Sequence, residues 1–236
     1  MSFFKDMFSI FKKRELSFLE SYKETDGVYT FIFEKDKDLT WRAGQYGLFS
    51  ITHRAVKNAT KPFSIASIPS EKVVKITTRI GDTPSDYKQA MLELKQGMKI
   101  KVSGPVGAFY LDKESPSLII AGGIGITPIR SILKQLETVE DGEERPVQVL
   151  YLDSDGSYLF KDELDEMASH LPWIQINYLD SREHLDQEIS RFISEYNNNG
   201  KYYAAGPKSM VDSVSSYLQS NAITKQNIKK DAFFGY

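Results

Sequence analysis

The chain has 236 residues, 41% hydrophobic and 26% charged, with a net charge of -2. That balance excludes a bulk basic surface for nucleic acid, and no apolar run reaches the roughly 20 residues that cross a bilayer. With no cysteine and three scattered histidines, disulfides, thiolate metal sites, cysteine nucleophiles and an iron–sulfur cluster held by this chain are excluded, and a histidine metal site lacks ligands.

The first residues are unusual. Phe3, Phe4, Met7, Phe8 and Phe11 recur at helical spacing, with Lys5, Lys12 and Lys13 between them. The stretch is too short for a signal peptide and has no small-residue cleavage site. Two readings of residues 1–13 stay open: a helix packed on the body of the protein, or a segment lying on a membrane surface or a partner. The expected location is cytoplasmic, membrane-peripheral under the second reading.

Short runs rich in β-branched and aromatic residues predict strands at Leu16–Tyr22, Val28–Glu34, Gly47–Thr52 and Val73–Ile80. Gly81-Asp82 signals a turn. A helix is expected over Ser85–Leu94, then a strand over Ile100–Val102. Strands with one helix point to a small antiparallel barrel.

The pattern changes near Ser115-Pro116. Continuous apolar strands are expected at Ser117–Ala121, Val147–Leu152, Ile174–Leu179, Lys201–Ala205 and Ile228–Phe233. Helices are expected between them, at Pro128–Val139, Tyr158–Ser169, Leu185–Tyr196 and Pro207–Gln219. This alternation predicts a doubly wound parallel sheet. The expected domains are 14–112 and 113–236, after the segment 1–13.

Gly122-Gly123-Ile124-Gly125-Ile126-Thr127-Pro128 sits where a buried strand meets a helix. Glycines permit close backbone approach, Thr127 is the expected N-cap and Pro128 the first helical residue, and the helix start offers N–H groups to an anion. A tight turn with no ligand is the plainer reading. It is not G-x-G-x-x-G, because Pro128 stands at the third glycine. Tyr202-Tyr203-Ala204-Ala205-Gly206-Pro207 is a second strand-to-helix turn. Read alone, Lys61-Pro62-Phe63-Ser64-Ile65-Ala66-Ser67-Ile68-Pro69 is a surface strand with hydroxyls.

Together, Ala43-Gly44-Gln45-Tyr46, Lys61–Ser67, Gly104-Pro105-Val106-Gly107, Gly122–Pro128 and Gly206-Pro207-Lys208-Ser209-Met210 resemble the ferredoxin–NADP⁺ reductase superfamily from about residue 14 onwards. The resemblance implies a six-stranded antiparallel barrel holding FAD, followed by an α/β domain binding a nicotinamide nucleotide. It implies flavin contacts at Tyr46, Lys61, Pro62, Phe63, Ser64 and Ser67, with Lys61 in place of an arginine at the pyrophosphate and Ser64 near flavin N5. Thr78, Arg79 and Ser85 would meet FAD phosphates and adenosine. Gly122, Gly123, Gly125, Thr127, Pro128, Gly206, Pro207 and Met210 would hold the nicotinamide nucleotide. Relatives usually have a cysteine where this chain has Ala205. Tyr236, with Phe234 second, would stack on the flavin. Ser181-Arg182 resembles a 2′-phosphate grip, whereas Asp153 and Asp155 favour a free ribose hydroxyl; the lean is to NADPH over NADH.

The implied activity is electron transfer from NAD(P)H through FAD to a redox protein such as ferredoxin or flavodoxin. The alternatives are a flavin, ferric or quinone reductase acting on small acceptors, and a non-catalytic nucleotide-binding subunit of a membrane redox complex. Oligomeric state is not legible.

Overall fold

The computed structural model describes residues 12–112, 114–138 and 145–233. The chain forms two compact units that divide between Ala108 and Phe109. The division precedes the boundary expected at 112/113. Composition changes only at Ser115-Pro116, but Phe109 already packs edge-on against Tyr203, ring centroids 5.7 Å apart. The Asp112 N–H also donates to the Tyr203 hydroxyl at 2.8 Å.

In the first unit the alternation of apolar and polar residues gives six antiparallel strands: β1 (Lys13–Thr25), β2 (Val28–Glu34), β3 (Tyr46–Ser50), β4 (Thr60–Ser64), β5 (Val73–Arg79) and β6 (Lys99–Val106). Their order is β4-β3-β6-β1-β2-β5. Just past β4, the Ala66 N–H donates to the Lys75 carbonyl of β5 at 2.9 Å. This bond draws the two sheet edges together, which hides strand edges from solvent.

Alternate residues point inward, among them Leu16, Phe18, Phe31, Phe33, Phe49, Ile76, Ile100 and Val102. Helix α1 (Asp86–Leu92) adds Tyr87, Ala90 and Met91 to this core. The Tyr87 hydroxyl donates to the Phe49 carbonyl at 3.0 Å, and burial pushes its pKa up. The segment expected as a surface strand is otherwise: β4 stops at Ser64, and Ser64, Ile65, Ala66, Ser67 and Ile68 are all buried. Their side chains fill the space between the sheet edges, which a polar reading of Ser64 and Ser67 does not anticipate.

The second unit has a five-stranded parallel sheet: β7 (Ser117–Gly122), β8 (Val147–Leu152), β9 (Ile174–Leu179), β10 (Lys201–Pro207) and β11 (Ile228–Phe233). Its order is β11-β10-β7-β8-β9. Helices α2 (Ile126–Leu136), α3 (Lys161–His170), α4 (Arg182–Tyr196) and α5 (Lys208–Ser220) connect the strands. Leu118, Ile120, Tyr202 and Ala204 share one core with Leu185, Ile189 and Phe192 of α4 and Val211, Val214 and Leu218 of α5. Right-handed crossovers put α2 and α3 on the other face, where Ile119 and Val149 point by alternation.

Candidate cofactor and nucleotide sites

In the second unit the strand order reverses between β7 and β10, so the carboxyl ends of these two strands frame a crevice. Both glycine turns lie there. Past β7, a 3-10 turn over Gly123–Gly125 runs straight into α2. Gly123 has φ +51°, the left-handed region that favours glycine.

Thr127 is therefore not the N-cap. Winding begins earlier, at the glycines, which leaves Gly125 at the cap and Thr127 inside the first turn. The Thr127 hydroxyl, 2% exposed, donates to the Ile124 carbonyl at 3.0 Å. Pro128 follows, also buried.

Close packing explains the other glycines. A β-carbon on Gly122 would stand 2.3 Å from Met210 Sδ, and one on Gly206 would stand 2.9 Å from the Gly122 carbonyl oxygen. Gly206 and Pro207 end β10, and Met210 lies in the first turn of α5. The two turns thus pack on each other through bare backbone. The helix start leaves N–H groups without intrahelical acceptors, an arrangement suited to an anion.

The residues past β8 and β9 settle differently. Asp153, 7% exposed, accepts the N–H groups of Asp155 (3.0 Å) and Ser157 (3.3 Å). Its carboxylate caps its own loop. Ser181 caps α4, accepting the His184 N–H at 3.3 Å. Arg182 is exposed, donating to Asp186 at 3.0 Å and to the Ser213 hydroxyl at 2.9 Å. Tyr158, packed edge-on against Tyr151 and Tyr178, is raised in pKa by desolvation and then by the charges of Asp180 and Asp153.

In the first unit, Tyr46 on β3 lies opposite Ser64 on β4, and its ring lies 3.0 Å from where a Gly107 β-carbon would stand. Phe63 is half-buried and stacks on Tyr87, centroids 5.8 Å apart. Pro62 is exposed and Lys61 half-buried. Ser67 donates to the Val73 carbonyl at 2.8 Å and accepts the Lys75 N–H at 3.0 Å. Its one proton is committed to main chain, so toward a flavin it can only accept. Thr78 is buried, Arg79 exposed at the end of β5, and Ser85 caps α1 by accepting the Lys88 N–H at 3.4 Å.

Sequence reasoning missed Lys88. Burial, and then the charge of Lys61, hold its pKa down. Among the described residues neither lysine makes an ion pair. Lys88, in the first turn of the capped helix α1, and Lys61, whose charge is felt there, are two half-buried cations that suit a bound anion such as a pyrophosphate. The available signal was the spacing Ser85-x-x-Lys88, one helical turn. Phe234 and Tyr236 lie outside the described residues, as do residues 1–11.

The family model for the oxidoreductase NAD-binding domain matches residues 119–216. The chain is 27% identical over 185 residues to the toluate 1,2-dioxygenase electron transfer component of Pseudomonas putida, covering 74% of this chain and 54% of that protein. It is 25% identical over 211 residues to the ferredoxin–NAD(P)(+) reductase component of the naphthalene 1,2-dioxygenase/salicylate 5-hydroxylase systems of Ralstonia sp, covering 84% and 62%. Ferredoxin-NADP+ reductase from Plasmodium falciparum shares the fold, with TM-score 0.81, 18% identity and coverage of 97% and 99%. The chain spans just over half the length of the first of these relatives and about three-fifths of the second.

Proposed function

We propose, from the premise that the chain belongs to the ferredoxin–NADP⁺ reductase superfamily, that it is a flavoenzyme passing electrons from NAD(P)H through FAD to a redox protein such as a ferredoxin. The observation that carries the reading is the pair of glycine turns interlocked at the β7/β10 switch point.

Flavin, when bound, supplies the exchange between a two-electron donor and the acceptor. The protein binds and orients. Lys61 and Lys88 neutralise the FAD pyrophosphate, with the capped start of α1 beside them. Ser64, buried at the end of β4 opposite Tyr46, would offer its hydroxyl to the flavin. The start of α2 offers N–H groups to the nucleotide diphosphate. Thr127, its proton already given to Ile124, accepts rather than donates there.

NADPH is the proposed donor. Asp153 is turned into its own loop, where the Asp155 and Ser157 N–H groups partly offset its repulsion of a 2′-phosphate. Among the described residues Arg182 is held by an exposed ion pair and a hydroxyl, a weak hold that a phosphate overcomes.

The acceptor reading draws support from the relatives named as electron transfer and ferredoxin reductase components. These 236 residues contain no cysteine, so an iron–sulfur acceptor would be ligated outside them. The test is anaerobic titration of FAD-loaded protein with NADH and NADPH. NADPH should bleach the visible flavin absorption. A protein that stays yellow with both nucleotides defeats the reading.

A further inference from the structure

We propose that Asn197 is a site of spontaneous deamidation, closing on the main chain with loss of ammonia, and that the change unfastens the turn between α4 and β10. The inference stands apart from the reductase reading.

The sequence alone points one turn position further on. In Asn197-Asn198-Asn199-Gly200 the residue most open to attack by the following nitrogen is Asn199, because glycine leaves that nitrogen unhindered. The fold reverses this. Asn199 closes a 3-10 turn, and the nitrogen after it is committed: the Gly200 N–H donates to the Asn197 carbonyl at 3.3 Å.

Asn197 is posed for the reaction instead. It has φ +43° and ψ -129°, a conformation that costs energy and persists because neighbours hold it. Its N–H donates to the Ile193 carbonyl, and its carbonyl accepts the Tyr202 hydroxyl at 2.8 Å. Substituents on a tetrahedral α-carbon stand a third of a turn apart, so this ψ brings the Asn198 nitrogen almost into line with the Asn197 β-carbon. A five-membered ring through Asn197 Cγ then closes with little main-chain rotation.

The side-chain amides are oriented as well. Asn198 Oδ1 accepts the Thr224 N–H at 2.9 Å and Asn227 Nδ2 at 3.1 Å. Asn198 Nδ2 donates to the Ala222 carbonyl at 2.9 Å and to Asn197 Oδ1 at 3.2 Å. A main-chain N–H can only donate and a carbonyl only accept, which fixes the Asn198 amide and sets a donor against Asn197 Oδ1. That oxygen gains negative charge when the nitrogen attacks Cγ, so the donor favours the step.

The Asn198 nitrogen gives its proton to hydroxide and bonds to Asn197 Cγ. The Cγ–Nδ2 bond breaks, and ammonia leaves with a proton taken from water. Water, which reaches the exposed Asn197, opens the succinimide to an aspartyl or isoaspartyl residue. In the isoaspartyl product the carbonyl that holds Tyr202 and Gly200 has left the main chain as a free carboxylate.

The experiment is incubation of the full chain at mildly alkaline pH in heavy-oxygen water, with the label located by peptide mass spectrometry. Asn197 should take up label about tenfold or more faster than Asn199 or Asn221; at Asn221 a ψ of 28° turns the next nitrogen away. The rate should rise with pH. In concentrated urea Asn199 should overtake Asn197. Asn199→Ala should label at Asn197 as wild type does, and Asn197→Gly, which suits the positive φ, should leave the turn unlabelled over the same period. The isoaspartyl fraction, separated by anion exchange, should melt below fresh protein. Label appearing first at Asn199 in folded protein, Asn197 no faster than Asn221, the same order of sites in urea, or an isoaspartyl fraction that melts like fresh protein would overturn the proposal.

Discussion

Gly125 stands so close to Ala205 that a β-carbon there would lie 2.2 Å from the Ala205 carbonyl oxygen and 2.7 Å from Gly206 Cα. Backbone, not a movable side chain, is in the way. Gly125→Ala should therefore cost about 2–3 kcal/mol and spread the two turns. The check is a urea titration: the midpoint falls with an unchanged slope, and nucleotide affinity falls with it. Gly81→Ala, where nothing lies within 4 Å of the new carbon, should stay within about 0.5 kcal/mol of wild type.

Lys61 and Lys88, coupled through their charges, have no carboxylate partner among the described residues. Lys61→Met and Lys88→Met should each weaken FAD binding about tenfold, on the order of 1.4 kcal/mol, with Lys61→Arg restoring or exceeding wild-type affinity. Fluorescence titration of released flavin measures this.

The same pair sets a pH dependence. Burial, then the Lys61 charge, depress the Lys88 pKa in the free protein, and a bound anion raises it again. Affinity for FAD is then constant below the free-state pKa of Lys88. It falls as pH rises through that value toward the bound-state pKa. The decline should begin below the ordinary lysine range and shrink in Lys88→Met. A flat profile to alkaline pH would remove Lys88 from the site.

If Arg182 grips a 2′-phosphate, its removal should separate the two nicotinamide nucleotides. Arg182→Ala loses an exposed ion pair and an exposed hydrogen bond to Ser213, so stability should change by less than about 1 kcal/mol. The kcat/KM for NADPH should drop about tenfold or more while that for NADH holds. Equal loss for both would mean that Arg182 does not meet the 2′-phosphate.

Arg130 on α2 is 2% exposed, and its guanidinium donates to both carboxylate oxygens of Glu163 on α3. Glu163→Ala would remove a counter-ion from a buried cation. Because Glu163 is about a third exposed, the cost should be about 1–3 kcal/mol, below that of a fully buried pair. Thermal unfolding reads it out.

The alternation of strand and helix after Ser115-Pro116 was legible because each buried strand is a continuous apolar run, as Ser117–Gly122 is. The glycine turns were legible as positions but not in detail. Nothing local tells that Gly125 is glycine because of Ala205, far along the chain. Thr127 reads as an N-cap from its neighbours alone, and only the 3-10 turn before it moves the cap to Gly125. The burial of Ser64 and Ser67 was hidden for the same reason. Serine signals surface until the sheet edges close over it and main-chain groups satisfy it. Asp153 looked like a ribose ligand by position, and its bonds to Asp155 and Ser157 depend on a loop geometry that spacing does not encode.

The interlocking of Gly125 with Ala205 also has a kinetic meaning. The strand carrying Ala205 is made late and must insert beside β7, the first strand of its sheet, while β8 takes the other flank. The pocket has no early half-formed version: during synthesis, the stretch around Gly125 waits for a long-range pairing, a slow kind of closure. Nascent chains halted before β10 should be blind to nucleotide, and added nucleotide should retard global unfolding, since releasing β10 dismantles the crevice and the sheet centre in one event.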